Sequence, residues 1–118
     1  MYNFEKLKAW QEAVKLVEII YVEIKKFPPE EKFGLVDQLR RASTSVSLNI
    51  AEGSGCNSKK AFVSYLEIAL RSLYETVSIL KIAERLFQKN FSAPLEQCDL
   101  VAKILHGLIR SLNLTTKN

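Results

Sequence analysis

The stretch Gln38–Gly55, QLRRASTSVSLNIAEGSG, decides the fold. Together with the upstream Leu35, the residues Leu39, Ala42, Val46, Asn49 and Gly53 recur at steps of three and four, the spacing of one face of a helix packed in a bundle. Between them lie Arg40 and Arg41, then Ser43, Thr44, Ser45 and Ser47. Small hydroxyl residues are indifferent helix formers because their side chains compete for backbone hydrogen bonds. A surface selected for helicity alone would carry Glu, Lys and Ala. Asn49 stands on the seam itself, where an amide costs stability unless it is hydrogen-bonded and often fixes register. Glu52 follows, and Gly53 and Gly55 are expected as left-handed helix stops.

Working outward, the segment from Asn3 to Lys26 reads as one helix with Asn3 as cap and a seam of Leu7, Trp10, Val14, Val17, Tyr21 and Ile24. Ala13, Leu16, Ile20 and Phe27 widen that seam. Phe27-Pro28-Pro29 ends it, since proline cannot continue the hydrogen-bond ladder. Pro29, Glu30 and Glu31 suit the start of the central helix, with Gly34 interrupting its first turns. Downstream, a helix capped by Asn57 or Ser58 runs to about Lys89 with the seam Phe62, Leu66, Ala69, Leu73, Thr76, Leu80, Ala83 and Phe87. A second stripe, Tyr65, Ile68, Ser72, Ile79, Ile82 and Leu86, lies beside it. The last helix opens at Ser92 with Pro94 in its first turn and carries Leu95, Cys98, Ala102, Leu105, Ile109 and Leu112. No alternating strand pattern and no repeat is present. Four amphipathic helices with short links predict an all-α, up-down-up-down antiparallel four-helix bundle forming one domain over 1–118.

The composition is that of a globular chain: 47% hydrophobic and 25% charged residues. The N-terminus mixes charges and has no apolar core, so no signal peptide is read there, and no run approaches the ~18 apolar residues of a membrane span. Cys56 and Cys98 have neither CxxC spacing nor a nearby His, which suits free thiols in the cytoplasm. The lone His106 has no ligand partner at helical spacing, and the ExxH pattern of di-metal bundles is absent. Gly53-Ser-Gly-Cys-Asn-Ser-Lys-Lys lacks the GxxxxGK[ST] spacing of a phosphate loop. No catalytic residue, metal site or cofactor is expected.

Net charge is +4. The basic pairs Arg40-Arg41 and Lys59-Lys60 stand out, and a turn near Ser54 to Asn57 is expected to bring Arg71 level with Arg40 and Arg41. These five cations are the candidate nucleic-acid contacts, as a strip along the outer surface of helices two and three. Glu67 and Glu75, four residues either side of Arg71, are expected to pair with it. Asn49 is expected to make a seam hydrogen bond, and Glu52 to accept one at the start of helix one, near Phe4 and Leu7. The doubled apolar stripes of helices one and three exceed what one bundle covers, which predicts a homo-oligomer.

The segments FEKLKAWQEAVKLVEIIY, FPPEEKFGLVDQLRRASTSVSLNIAEGSG and SYLEIALRSLYETVSILKIAERL together resemble the 23S rRNA intervening-sequence proteins, over nearly the whole chain. The resemblance implies a bacterial four-helix bundle, a small homo-oligomer (commonly a five-membered ring) and no enzymatic activity. The accessory proteins of diversity-generating retroelements are similar, and those contact reverse transcriptase and nucleic acid. Gln38, Arg40, Arg41, Ser45, Asn49, Glu52 and Gly53 match the family motif, whereas Cys56-Asn57 replaces a position near the loop that is more often basic. The expected partners are other copies of the chain and RNA or DNA, or else a protein bound as a scaffold, with no membrane.

Overall fold

Local chemistry sets each helix end in the computed structural model, which describes residues 1–116. The first expected helix is split. A 3-10 turn, Asn3–Lys6, is followed by extended Leu7, and α1 begins only at Lys8 and runs to Glu23. The cause lies in the N-terminal side chains. The backbone N–H of Tyr2 donates to the Glu5 carboxylate at 2.7 Å, and Phe4 packs edge-on against Trp10, folding the turn back onto α1. Asn3 therefore caps nothing. A second 3-10 turn, Ile24–Lys26, leads into extended Phe27, as a residue preceding proline requires.

After a third turn, Pro29–Glu31, α2 spans Leu35–Ser54. Its first amide, that of Leu35, donates to the Glu31 carboxylate at 3.1 Å. The expectation that Gly53 stops this helix is corrected: α2 continues through it, and no glycine has positive φ. Gly53 is required for another reason. A Cβ there would lie 2.7 Å from Cβ of Tyr65 and 3.3 Å from the carbonyl oxygen of Phe62. The glycine lets two backbones approach.

The hydroxyl of Ser58 accepts from the Ala61 amide at 3.1 Å and starts α3, Lys59–Phe87. Gln88, in the left-handed region with φ 52°, ends it. Its successor α4 spans Ser92–Thr116. Phe91 precedes it, and the Asn90 side chain supplies an acceptor for the Ser92 amide at 2.8 Å.

The helices form a square. The pairs α1/α2, α2/α3, α3/α4 and α4/α1 pack together, and α2 with α3 most extensively. Ser45 meets Ser72 while Gly53 meets Phe62, so α2 and α3 run antiparallel. Glu12 meets Gln97 while Lys26 meets Asn90, so α1 and α4 do too. The molecule is a rod of 51 × 24 × 19 Å, and no strand occurs among the described residues.

The core follows the expected seam best on α3, where Leu66, Ala69, Leu73, Thr76, Leu80 and Ala83 are all buried. On α1 the buried line is Ala9, Ala13, Leu16 and Ile20, and Tyr21 faces solvent. On α2, Ser43 and Ser47 are buried as well as Leu39, Ala42, Val46 and Ile50. Each of these two serines donates to a carbonyl of its own helix, Ser43 to Arg40 at 3.2 Å and Ser47 to Thr44 at 3.0 Å. The hydroxyls are thereby satisfied without a partner across the core.

Candidate functional site

The polar residues of α2 fall into two sets. The inner set joins α2 to α3. Asn49 donates its amide to the carbonyl and hydroxyl oxygens of Ser45, at 2.8 and 2.9 Å. The hydroxyl of Ser45 lies 2.9 Å from that of Ser72, and Thr76 donates to the Ser72 carbonyl. Asn49 thus acts within its own helix and reaches α3 through Ser45. No described bond takes it to the start of helix one. The corresponding expectation for Glu52 is also corrected: its side chain is exposed and has no hydrogen bond or ion pair. Glu52 follows Asn49 by three residues, only about 60° around the helix, yet its side chain stays in solvent. Gln38 is likewise exposed on α2.

The outer set is basic. Arg40 and Arg41, adjacent in sequence, diverge by about 100° around the helix. Arg41 pairs with the Asp37 carboxylate one turn earlier and remains largely in solvent. Arg40 turns the other way and lines a groove against the end of α1. Arg71 is exposed on α3 but is not level with these two. The Ser45–Ser72 contact sets the register, so Arg71 lies beside Val46, and Arg41 stands about 8 Å farther along the axis. Nor does Arg71 pair with Glu67 or Glu75; among the described residues only Lys26 and Arg41 form ion pairs. Extended glutamates on a solvated face gain too little from pairing to hold one geometry.

Lys59 and Lys60 open α3, both exposed, and no acidic residue accompanies them in the first turn. Cations there face the positive end of the helix dipole, an arrangement that opposes helix stability and attracts anions. Lys60 and Arg71 share one face of α3, about three turns and 17 Å apart. The five expected cations therefore do not cluster: Arg41, Arg71 and Lys60 form a spaced line, while Arg40 and Lys59 each lie about 100° around the helix from their neighbour.

The groove beside Arg40 was not evident in the sequence. Its floor is Ile24, Phe27 and Val36, bounded by Pro28 and Pro29, and its rim carries Lys25 and Lys32 besides Arg40. The signal for it is FPPEEKF: the reversal at the two prolines folds Lys25 and Lys32 onto the same side as Arg40.

Neither thiol belongs to a catalytic arrangement. Burial, assisted by the charge of Asp99, pushes the Cys98 thiol up to about 12. Cys56 is half-buried with its sulfur 3.7 Å from the Glu52 carbonyl oxygen. A thiol reagent such as DTNB at pH 8 is expected to titrate Cys56 in the native protein and both cysteines in denaturant. Rapid labelling of both without denaturant would show that α4 opens. Because Cys98 ionises from 9.0 when unfolded but near 12 when folded, its contribution to stability is complete below pH 9 and declines above it. His106 is exposed at the α3/α4 edge, 3.2 Å from the Tyr74 hydroxyl. No group of three or more potential ligands is placed to hold a metal among the described residues. No helix among them is long and apolar enough to cross a membrane.

A solved structure of similar fold is that of a protein of unknown function from the S23 ribosomal protein family of Bacteroides thetaiotaomicron VPI-5482. It aligns with a TM-score of 0.64 and 23% identity over 93% of this chain and 99% of that one, a likeness of fold. No curated protein matches significantly. The family described as 23S rRNA-intervening sequence protein matches residues 5–107, a span that takes in the Asn49 belt, the Gly53 contact and all five basic candidates. The chain belongs to that family.

Proposed function

We propose that this chain is a non-catalytic, self-associating accessory protein that contacts nucleic acid or a ribonucleoprotein through its basic outer surface, in the bacterial cytoplasm. The observation that carries the reading is the state of the cations: Lys59, Lys60 and Arg71 are exposed and none is in an ion pair. Arg41, Arg71 and Lys60 make a line of about 24 Å down one side of α2 and α3, a spacing suited to tracking phosphates, with Lys59 adding charge at its end. Self-association is supported by a second set of exposed side chains. Leu48, Ile68, Ile82 and Leu86 face solvent on the same two helices, whereas Ile79 of the expected stripe is buried inside the bundle and Tyr65 is half-buried. A ring of copies, five by the family resemblance, repeats the basic line and raises effective affinity without new contacts.

The test is anisotropy with a structured RNA and a duplex DNA at 50 and 200 mM salt, comparing wild type with Lys59→Gln/Lys60→Gln/Arg71→Gln. Binding is expected to weaken at least tenfold at the higher salt, with little sequence preference, and the triple variant to lose at least tenfold and show a shallower salt slope. No binding at 50 mM, or a triple variant indistinguishable from wild type, transfers the assignment to the protein-interaction scaffold, which the exposed apolar side chains alone also support.

A further inference from the structure

The groove at the α1–α2 reversal combines two surfaces that seldom meet by accident. Its floor is apolar, built from Ile24, Phe27 and Val36, and three cations converge on its rim. Lys25 and Arg40 are in no ion pair, and Lys32 only lies over the Phe33 ring at 5.4 Å. Carboxylates are near in sequence yet engaged elsewhere. Glu31 caps the Leu35 amide and Asp37 holds Arg41, which leaves exposed Glu30. Three cations around an apolar floor, none of them in an ion pair although carboxylates are near, suit an anionic ligand that also has something apolar to bury.

We propose that this groove docks an acidic peptide segment of a protein partner, one bulky aliphatic side chain filling the floor and flanking carboxylates meeting Lys25, Lys32 and Arg40. This second site is separate from the line of cations on α3. The groove measures about 270 Å³, below the roughly 300–1,000 Å³ of ligand pockets, so it suits one anchoring side chain rather than a whole cofactor. A phosphodiester chain would use the cations but leave the floor empty. Phe27 offers no free face for a base, because its ring is buried against Phe87 and Phe91 at centroid distances of 5.7 and 5.2 Å. Phe33, 87% exposed beside Lys32, extends the apolar surface at the rim.

The experiment is an amide-detected NMR titration of the full chain with acetyl-Glu-Glu-Leu-Glu-Glu-amide. Shifts are expected at Ile24, Lys25, Val36 and Arg40, with micromolar to millimolar affinity. Replacing the central leucine of the peptide by alanine is expected to weaken binding at least fivefold, and Lys25→Gln/Lys32→Gln/Arg40→Gln at least tenfold. Since those cations form no ion pair, the variant should keep the wild-type circular dichroism; if it does not, the alanine-centred peptide on wild type decides. Equal binding of the two peptides reduces the site to unspecific charge attraction and overturns the proposal. So does an absence of shifts at millimolar peptide, or tighter binding of oligo(dT) to the same amides, which would make the groove a nucleic-acid site.

Discussion

Phe91→Ala is expected to cost about 3–5 kcal/mol and to lower Tm by on the order of 10–20 °C. The ring is fully buried between α3 and α4 and packs on Phe27, with the Lys26 ammonium 5.5 Å from its centroid. Truncation removes the ring but spares the backbone bonds that hold the link, from the Phe91 amide to the Glu84 carboxylate and from the Leu95 amide to the Phe91 carbonyl. The loss is therefore that of apolar burial and of the cavity left behind. It also spreads, because Phe27 keeps only its edge contact with Phe87 and is itself part of the groove floor. Phe91→Leu should cost less than about 1.5 kcal/mol, since it refills most of the volume. Urea unfolding of the two variants measures both. A loss under 1 kcal/mol for the alanine would mean that this end of the bundle is not packed in solution.

Phe91 also marks where reading the sequence stops. Periodicity exposes residues inside long helices, and on α3 one unbroken pattern of threes and fours found the buried residues except Ile79, which it placed in the neighbouring stripe. Phe91 lies between two helices, in no periodic frame, so nothing local reveals that it is among the most buried side chains. On α1 the pattern was ambiguous for a different reason. Apolar residues occur at almost every angle, and the true core line was the one carrying Ala9 and Ala13, whose small size lets α1 sit close. Ser43 and Ser47 escaped notice because a serine becomes a core residue only once its hydroxyl is returned to its own helix, which hydropathy does not register.

The candidate site was legible as residues and not as an arrangement. Arg40, Arg41, Lys59, Lys60 and Arg71 are conspicuous in the chain, but their relative placement depends on how α2 and α3 slide past each other. That register is fixed by the Ser45–Ser72 contact and by Gly53 against Tyr65, both long-range. An adjacent pair such as Arg40-Arg41 reads as one patch in sequence, whereas 100° of helix rotation sends one to the groove and the other to Asp37.

The register argument carries the second large effect. Gly53→Ala is expected to destabilise by about 1–2 kcal/mol and lower Tm by roughly 5–10 °C, although alanine is the better helix former by about 1 kcal/mol. The added Cβ meets Tyr65 Cβ at 2.7 Å, Phe62 Cδ1 at 2.9 Å and the Phe62 carbonyl oxygen at 3.3 Å. The phenylalanine ring can turn aside. A Cβ and a carbonyl cannot move without the α3 backbone, so the helices must separate and the Ser45–Ser72 hydrogen bond lengthens with them. Gly107, in the interior of α4, is the control. A Cβ there meets nothing within 4 Å, so Gly107→Ala should gain about 0.5–1 kcal/mol from propensity and unfolded-state entropy. One substitution thus has opposite signs at two helical glycines, and because the sites are distant the double variant should show the sum. Thermal melts of the three variants test this directly. If Gly53→Ala raises Tm as Gly107→Ala does, α2 and α3 do not approach closely at Gly53, and the register that places Arg71 away from Arg40 and Arg41 loses its anchor.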